Sequence, residues 1–314
     1  MRIVKGVTAL VLVAAFAAAC STAGTASTQP SASAASAAPS AAASASASPS
    51  AAQAACTPDQ LATKTPGTLT IGADNPAYPP YYQPTEPNPS PWELGDPTNR
   101  LGFEGRVAWA IARDLGYVGD TVAWVATPFN NAVQPGPKDF DIYLSQVSFS
   151  EERAQAVDLS EGYYETAQAV VAAKDSDLSK VTTIAGLKDF EFGAQVGTTS
   201  LETINTVIAP SKEAKVYDTN DAAIEALKNG QIDGLVVDLP TAFIVTSSQF
   251  EDGVIVGQFP PAEGGEHFSV VLDKDSPLTE CVNEVIAQLS DSGELARITQ
   301  EELSVAAAAP VFQP

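Results

Sequence analysis

From Leu69 to Leu289, apolar runs of about five residues alternate with stretches whose apolar residues recur every three or four positions. This alternation predicts strands covered by helices, an α/β chain. Leu69–Ala73 reads as a buried strand that ends in Asp74, and further strands are expected at 121–125, 140–144, 191–196 and 234–237. Val107, Ile111 and Leu115 lie four apart ahead of Gly116, the spacing of an amphipathic helix with a glycine just past its end. A second helix carries Ala223, Ile224 and Leu227. Ser276-Pro277 reads as the start of a third, through Cys281, Val285 and Leu289. Thr199-Ser200-Leu201-Glu202 fits a capping box at the start of another helix.

Chemistry collects at the strand ends. The run Phe140 to Arg153 is an apolar strand that stops in a hydroxyl-lined turn, Ser145-Gln146-Val147-Ser148, followed by an arginine. Gly197-Thr198-Thr199-Ser200 offers hydroxyls and helix-start N–H groups, and Gly234–Val237 delivers Asp238. A guanidinium with such donors holds a carboxylate bidentately, while an aspartate holds an ammonium. Together they describe a site for an α-amino acid. Open α/β sheets place ligands outside the C-terminal ends of their strands, where Asp74, the 145–153 turn, Gly197–Ser200 and Asp238 all fall.

The formal charge is −22, which argues against nucleic acid as a partner. About 259 residues remain from Cys56 onward, enough for two lobes rather than one small core. Two extended segments, 166–173 and 267–272, bracket the intervening chain, so one lobe is expected as an insertion in the other. The expected division is 56–170 with 268–314 for the first lobe and 171–267 for the second, with a ligand cleft between them and two hinge crossings.

Residues 1–19 carry Arg2 and Lys5, an apolar run from Val7 to Ala19, and then Cys20. The run is too short for a membrane span and ends in small residues, as an export signal does. It resembles a bacterial lipoprotein signal, whose cysteine is acylated with palmitate-type chains to become the new N-terminus. Ala17 stands where such signals usually carry leucine, so cleavage after Ala19 and release as a secreted protein is the alternative. Residues 20–55 are almost wholly Ala, Ser, Thr and Pro past the cysteine, the composition of a disordered tether. Its reach is roughly 30–35 Å. Cys56 and Cys281, in an oxidising compartment, are expected to form a disulfide.

From Leu69 to Leu303 the chain resembles the bacterial extracellular solute-binding proteins for polar amino acids, the receptors of ABC importers. The resemblance rests on motifs in family order: Gly72-Ala73-Asp74, Tyr78-Pro79-Pro80-Tyr81, Gly102-Phe103-Glu104, Ser148-Phe149-Ser150-Glu151-Glu152-Arg153, Gly197-Thr198-Thr199, and Val236-Val237-Asp238. It implies the two-lobe, type II periplasmic-binding-protein-like fold. It also implies that Arg153, Thr198 and the backbone at Thr199 take the ligand carboxylate. Asp238, Ser148 and the Gln146 carbonyl would take the ammonium, with Val147 inside the same turn. Tyr78 and Phe129 would flank the ligand side chain and Asp74 would face it, favouring a basic or amide amino acid. Thr199 suits a plain helix cap as well, and Tyr78 or Phe129 a plain core position.

The implied partners are the amino acid, a membrane permease and, through lipidated Cys20, the outer face of the cell membrane. No cofactor or metal is called for, and a monomer is expected. Three features depart from the family pattern: an extra residue between Asp74 and Tyr78, Gln146 in place of a small residue with its side chain free to enter the pocket, and the proline-rich insertion from Pro84 to Pro97 with Trp92, a candidate rim. A sensor with the same lobes is a second reading. An enzyme resembling periplasmic dehydratases is a third, and needs a general acid in the cleft. Glu104 and Glu165 read instead as surface helix-start and hinge positions, with His267 at a crossing.

Overall fold

A computed structural model describes residues 56–260, 265–303 and 309–314. The leader, Cys20 and the tether lie outside the described residues. The first lobe opens with β1 (Leu69–Ala73), α1 (Phe103–Asp114), β2 (Val122–Ala126), α2 (Phe129–Val133), β3 (Ile142–Tyr143), α3 (Glu151–Ala156) and β4 (Asp158–Thr166). The chain then enters the second lobe as β5 (Gln168–Ala173), β6 (Phe192–Gln195), α4 (Thr199–Thr203), β7 (Lys215–Tyr217), α5 (Asn220–Lys228), β8 (Gly234–Asp238), α6 (Leu239–Ile244) and β9 (Gly253–Gln258). It returns through β10 (Glu266–Leu272) to α7 (Thr279–Asp291) and α8 (Glu294–Glu302).

Each lobe holds one mixed five-stranded sheet, in the order β2-β1-β3-β10-β4 and β7-β6-β8-β5-β9. Within each, strands reached through helices run parallel, and the crossing strands β5 and β10 run antiparallel to their neighbours. Both faces of both sheets are packed, which is why β8 reads as an unbroken apolar run. The fold is the expected two-lobe α/β architecture.

The lobe boundaries differ from those expected. Gln168 to Val170 already pair with β8, so the first crossing is at Ala167, and Glu266 and His267 already pair with β4 in the first sheet. The tail also departs. Ala309–Pro314 belongs with the second lobe, where Val311 bridges to Gln258 and the Gln313 N–H donates to the Thr182 carbonyl at 2.9 Å. The cause is Phe312, which is 2% exposed, sits 5.2 Å from the Phe259 ring and covers Gly257. A Cβ at Gly257 would lie 2.9 Å from the Phe312 ring, so the glycine makes room for the docked tail. Because Leu303 packs in the first lobe, the chain passes between lobes once more than the two bracketing segments implied.

Local signals shift by a residue or more. Thr198, not Thr199, caps α4, accepting the Leu201 N–H at 3.2 Å. Helix α7 starts at Thr279 rather than at Pro277, and Asp158 ties its start by accepting the Thr279 hydroxyl at 2.8 Å. The Pro84–Pro97 insertion tucks Trp92, 6% exposed, into the first-lobe core, and none of its residues lines the cleft. Asn75 explains the extra residue after Asp74: its amide donates to the Pro91 carbonyl at 2.9 Å and accepts the Glu93 N–H at 3.1 Å, pinning the insertion. Cys56 and Cys281 are joined by a disulfide within the first lobe, with Cα atoms 5.5 Å apart.

Candidate functional site

The cleft lies where strand ends of the two sheets meet, and Asp74, Tyr78, Phe129, Gln146, Ser148, Arg153, Thr198, Thr199 and Asp238 all line it. Val147 does not. Its side chain is buried beside Phe140, Tyr143 and Val157, and its carbonyl accepts the Ser269 N–H at 2.8 Å. In a turn of alternating directions it is the residue that faces the core.

Asp74 follows β1. Its Oδ1 accepts the N–H groups of Asn75 at 2.9 Å and Phe129 at 3.2 Å, so the carboxylate also fixes the start of α2 and with it the Phe129 ring. Burial pushes its pKa up, and those two bonds oppose the shift. Tyr78 packs against the first-lobe core while bordering the cleft, so its core and wall readings hold together. Its pKa is raised by burial first, then by Asp221 at the start of α5 and by Asp74.

The turn after β3 is held from behind. Gln146 has φ 49°, a left-handed conformation uncommon outside glycine. Glu104 Oε1 accepts its backbone N–H at 2.6 Å, Glu104 Oε2 accepts its side-chain Nε2–H, and Tyr163 donates its hydroxyl to Oε1 at 2.5 Å. The Gln146 side chain therefore turns back to Glu104 instead of reaching across the pocket. Glu104 itself, expected on the surface, is wholly buried, because the first turn of α1 faces inward against β4 and the turn. Burial pushes its carboxyl up to about 7, against the pull of the Tyr163 and Gln146 bonds. Glu165 is exposed, and His267 stacks on Phe149 at 5.3 Å; neither lines the cleft, and nor does Glu104.

Arg153 sits in α3, capped by Ser150, and is 8% exposed. Its Nη1 donates to the Ser148 carbonyl at 2.5 Å and its Nη2 to the Gly197 carbonyl of the second lobe at 2.7 Å. The guanidinium carbon lies 5.5 Å from the Phe129 ring centroid. Among the described residues no carboxylate comes within ion-pairing distance, and burial pulls its pKa down although Glu266, Glu202 and Glu152 push the other way. Two N–H groups are taken of the five that a guanidinium carries, and the others remain to bind.

Opposite it, Thr198 donates its hydroxyl to the Gln195 carbonyl at 2.8 Å, so the side-chain proton expected for a ligand carboxylate is already committed. Thr199 likewise donates to Glu266 at 2.8 Å. The donors left at this strand end are the Thr199 and Ser200 N–H groups at the start of α4, since the Thr198 side chain and carbonyl already take the Leu201 and Glu202 N–H groups. Asp238 ends β8 and caps α6, accepting the Thr241 N–H at 3.1 Å and the Thr241 hydroxyl at 3.0 Å. Burial pushes its pKa up, and no cation pairs with it among the described residues. An unpaired buried guanidinium and an unpaired, half-buried carboxylate in one cleft are costly unless something bipolar sits between them.

Several participants carried no distinct signal. Tyr81 donates its hydroxyl across the cleft to Asp238 at 3.0 Å, although only its place in the Tyr78–Tyr81 motif marks it. Gln168 joins Glu266 at 2.8 Å and Ser200 at 2.6 Å, tying the crossings to the start of α4. Gln195 and Asn220 add amides to the lining.

A profile of the bacterial extracellular solute-binding proteins, family 3, matches residues 72–303. The chain is 29% identical over 217 residues to a probable histidine-binding protein of Campylobacter jejuni, covering 67% of this chain and 79% of that one. It is 25% identical over 215 residues to the arginine-binding extracellular protein ArtP of Bacillus subtilis, covering 67% and 81%. Among solved structures, an ancestral arginine-binding protein bound to glutamine superposes with a TM-score of 0.61 at 26% identity, covering 76% of this chain and 98% of that chain. With most of the chain inside the family profile, this protein belongs to the bacterial extracellular solute-binding proteins, family 3.

Proposed function

We propose that this protein is an extracytoplasmic receptor that closes two lobes around one amino acid and presents it to the permease of an ABC importer. The observation that carries this reading is the charge balance of the cleft: one unpaired guanidinium, Arg153, faces two unpaired carboxylates, Asp238 and Asp74. Arg153 and the α4 N–H groups take the α-carboxylate, and Asp238, Ser148 and the Gln146 carbonyl take the α-ammonium. Asp74 then faces the side chain, between Tyr78 and Phe129, and favours a cationic or amide group over an acidic one. Some relatives' names lean the same way, being histidine- and arginine-binding, while others are glutamate- and cystine-binding, so the preference rests on Asp74. Four or more charge-assisted bonds of about 1.5–3 kcal/mol each support roughly micromolar or tighter affinity after the cost of association.

A thermal-shift screen against the common amino acids tests this, since a ligand that binds only the folded state raises the melting temperature by mass action. Arginine, lysine, histidine or glutamine is expected to give the largest rise. A rise with aspartate or glutamate alone, or with none, overturns the assignment.

The receptor is held to the outer face of the membrane by a lipid on Cys20, with 21–55 as its tether. The uncharged tether has no membrane affinity of its own. A Cys20→Ser variant is therefore expected in the culture medium rather than the membrane fraction, and equal retention of both forms in the membrane overturns the anchor.

A further inference from the structure

Glu104 touches no part of the cleft surface, yet it receives three hydrogen bonds, two from the turn that lines the cleft and one from β4. The Gln146 N–H, the Gln146 Nε2–H and the Tyr163 hydroxyl all point at one carboxyl group with zero exposure. All three are donors, so the arrangement suits a carboxylate, which only accepts. A proton on Oε2 meets the Gln146 Nε2–H, which can only donate. A proton on Oε1 can be accepted by the Tyr163 hydroxyl once it turns, but leaves that oxygen a weaker acceptor for the Gln146 N–H. In either case a bond to Gln146 is weakened or lost. The bonds at stake hold Gln146 at φ 49°, in the turn whose Ser145, Gln146 and Ser148 line the cleft.

We propose that Glu104 is a positioning residue for the cleft, holding the Ser145–Ser148 turn in its ligand-accepting conformation when charged and releasing it when protonated, so that amino-acid binding is coupled to loss of a proton from Glu104. This rests on the amino-acid reading of the cleft given above.

The titratable groups that face Glu104 are Tyr163 on β4, Tyr81 and Tyr82 on the segment before α1, Tyr143 on β3, and Asp238 across the cleft. None carries a positive charge, and Asp238 is the one whose negative field reaches it. A ligand ammonium on Asp238 cancels that field and lets Glu104 ionise more easily. The sign follows. With Glu104 at about 7 in the free protein and lower in the complex, affinity is greatest above pH 7 and falls as pH drops through that value. A shift of one unit on binding corresponds to about a tenfold change in affinity.

The test has two arms on the same protein. In the ligand-free protein, the backbone amide resonance of Gln146 is followed by NMR from pH 5 to 9. It is expected to titrate with a midpoint near 7 in the parent and with a displaced midpoint in Glu104→Asp, and not at all in Glu104→Gln. In the second arm, calorimetry with L-arginine at pH 5.5 and pH 8, in buffers of different ionisation enthalpy, should show about tenfold tighter binding at pH 8. It should also show proton release near pH 7, and Glu104→Gln should bind equally at both values at the weaker level. A flat Gln146 resonance, or pH-dependent arginine binding that survives in Glu104→Gln, overturns the proposal. Absence of arginine binding at either pH counts against the basic-ligand reading alone, while the resonance arm still decides the role of Glu104.

Discussion

Arg153→Ala and Asp238→Asn are each expected to weaken amino-acid binding by about 2–5 kcal/mol, roughly thirtyfold to several thousandfold, measured by calorimetry on the folded variants. The two probe opposite ends of the ligand, and the structure makes them unequal in side effects. Asp238→Asn keeps a side-chain oxygen for the Thr241 N–H that starts α6, so it removes charge with little loss of the cap. Arg153→Ala also removes the bond to the Gly197 carbonyl, which joins the lobes, and uncovers one face of the Phe129 ring. Arg153→Lys separates these effects. A lysine restores the charge but not the fork that reaches Ser148, Gly197 and a carboxylate together, so it should recover only part of the lost affinity. If both Arg153→Ala and Asp238→Asn bind as the parent does, the cleft does not hold its ligand by these charges.

The strand ends were legible in the sequence because a charged residue that closes an apolar run has few places to go. Asp74 and Asp238 stand out for that reason and Arg153 for following the hydroxyl-lined turn after β3, and all three line the cleft. Relations between distant segments were not legible. Glu104 follows Gly102-Phe103 at a helix start, where a glutamate is ordinarily solvated and favoured by the helix dipole. Only the meeting of α1, β4 and the 145–148 turn buries it. Gln146 reads as a polar residue at a pocket for the same reason, since its true partner lies 42 residues earlier. The Thr198 and Thr199 hydroxyls are both plausible donors in a linear reading, and the fold alone shows that each proton is committed elsewhere. The tail was misplaced because Val311 and Phe312 are too short a run to carry a period, so nothing in the sequence says which lobe they cover.

Removing the Cys56–Cys281 disulfide is expected to lower the unfolding temperature by at least about 5 °C while leaving ligand affinity within about threefold. The two cysteines are separated by 225 residues, and a loop that long is valued at about 5 kcal/mol in the chain-entropy model, as an upper figure. Its action falls mainly on the unfolded chain, because both ends already pack in the same first-lobe core. Cys281 lies on α7, which packs against β4 in the first lobe, and Cys56 precedes β1 of the same sheet. The bridge therefore does not span the cleft, and lobe closure neither stretches nor relaxes it. A Cys56→Ser and Cys281→Ser double variant, followed by scanning calorimetry and ligand titration, separates the two effects. An unchanged melting temperature means the unfolded chain gains nothing from the release. A large loss of affinity with the stability loss means instead that α7 and the segment around Cys56 shift with the ligand, and that the first lobe is not the rigid half of the receptor.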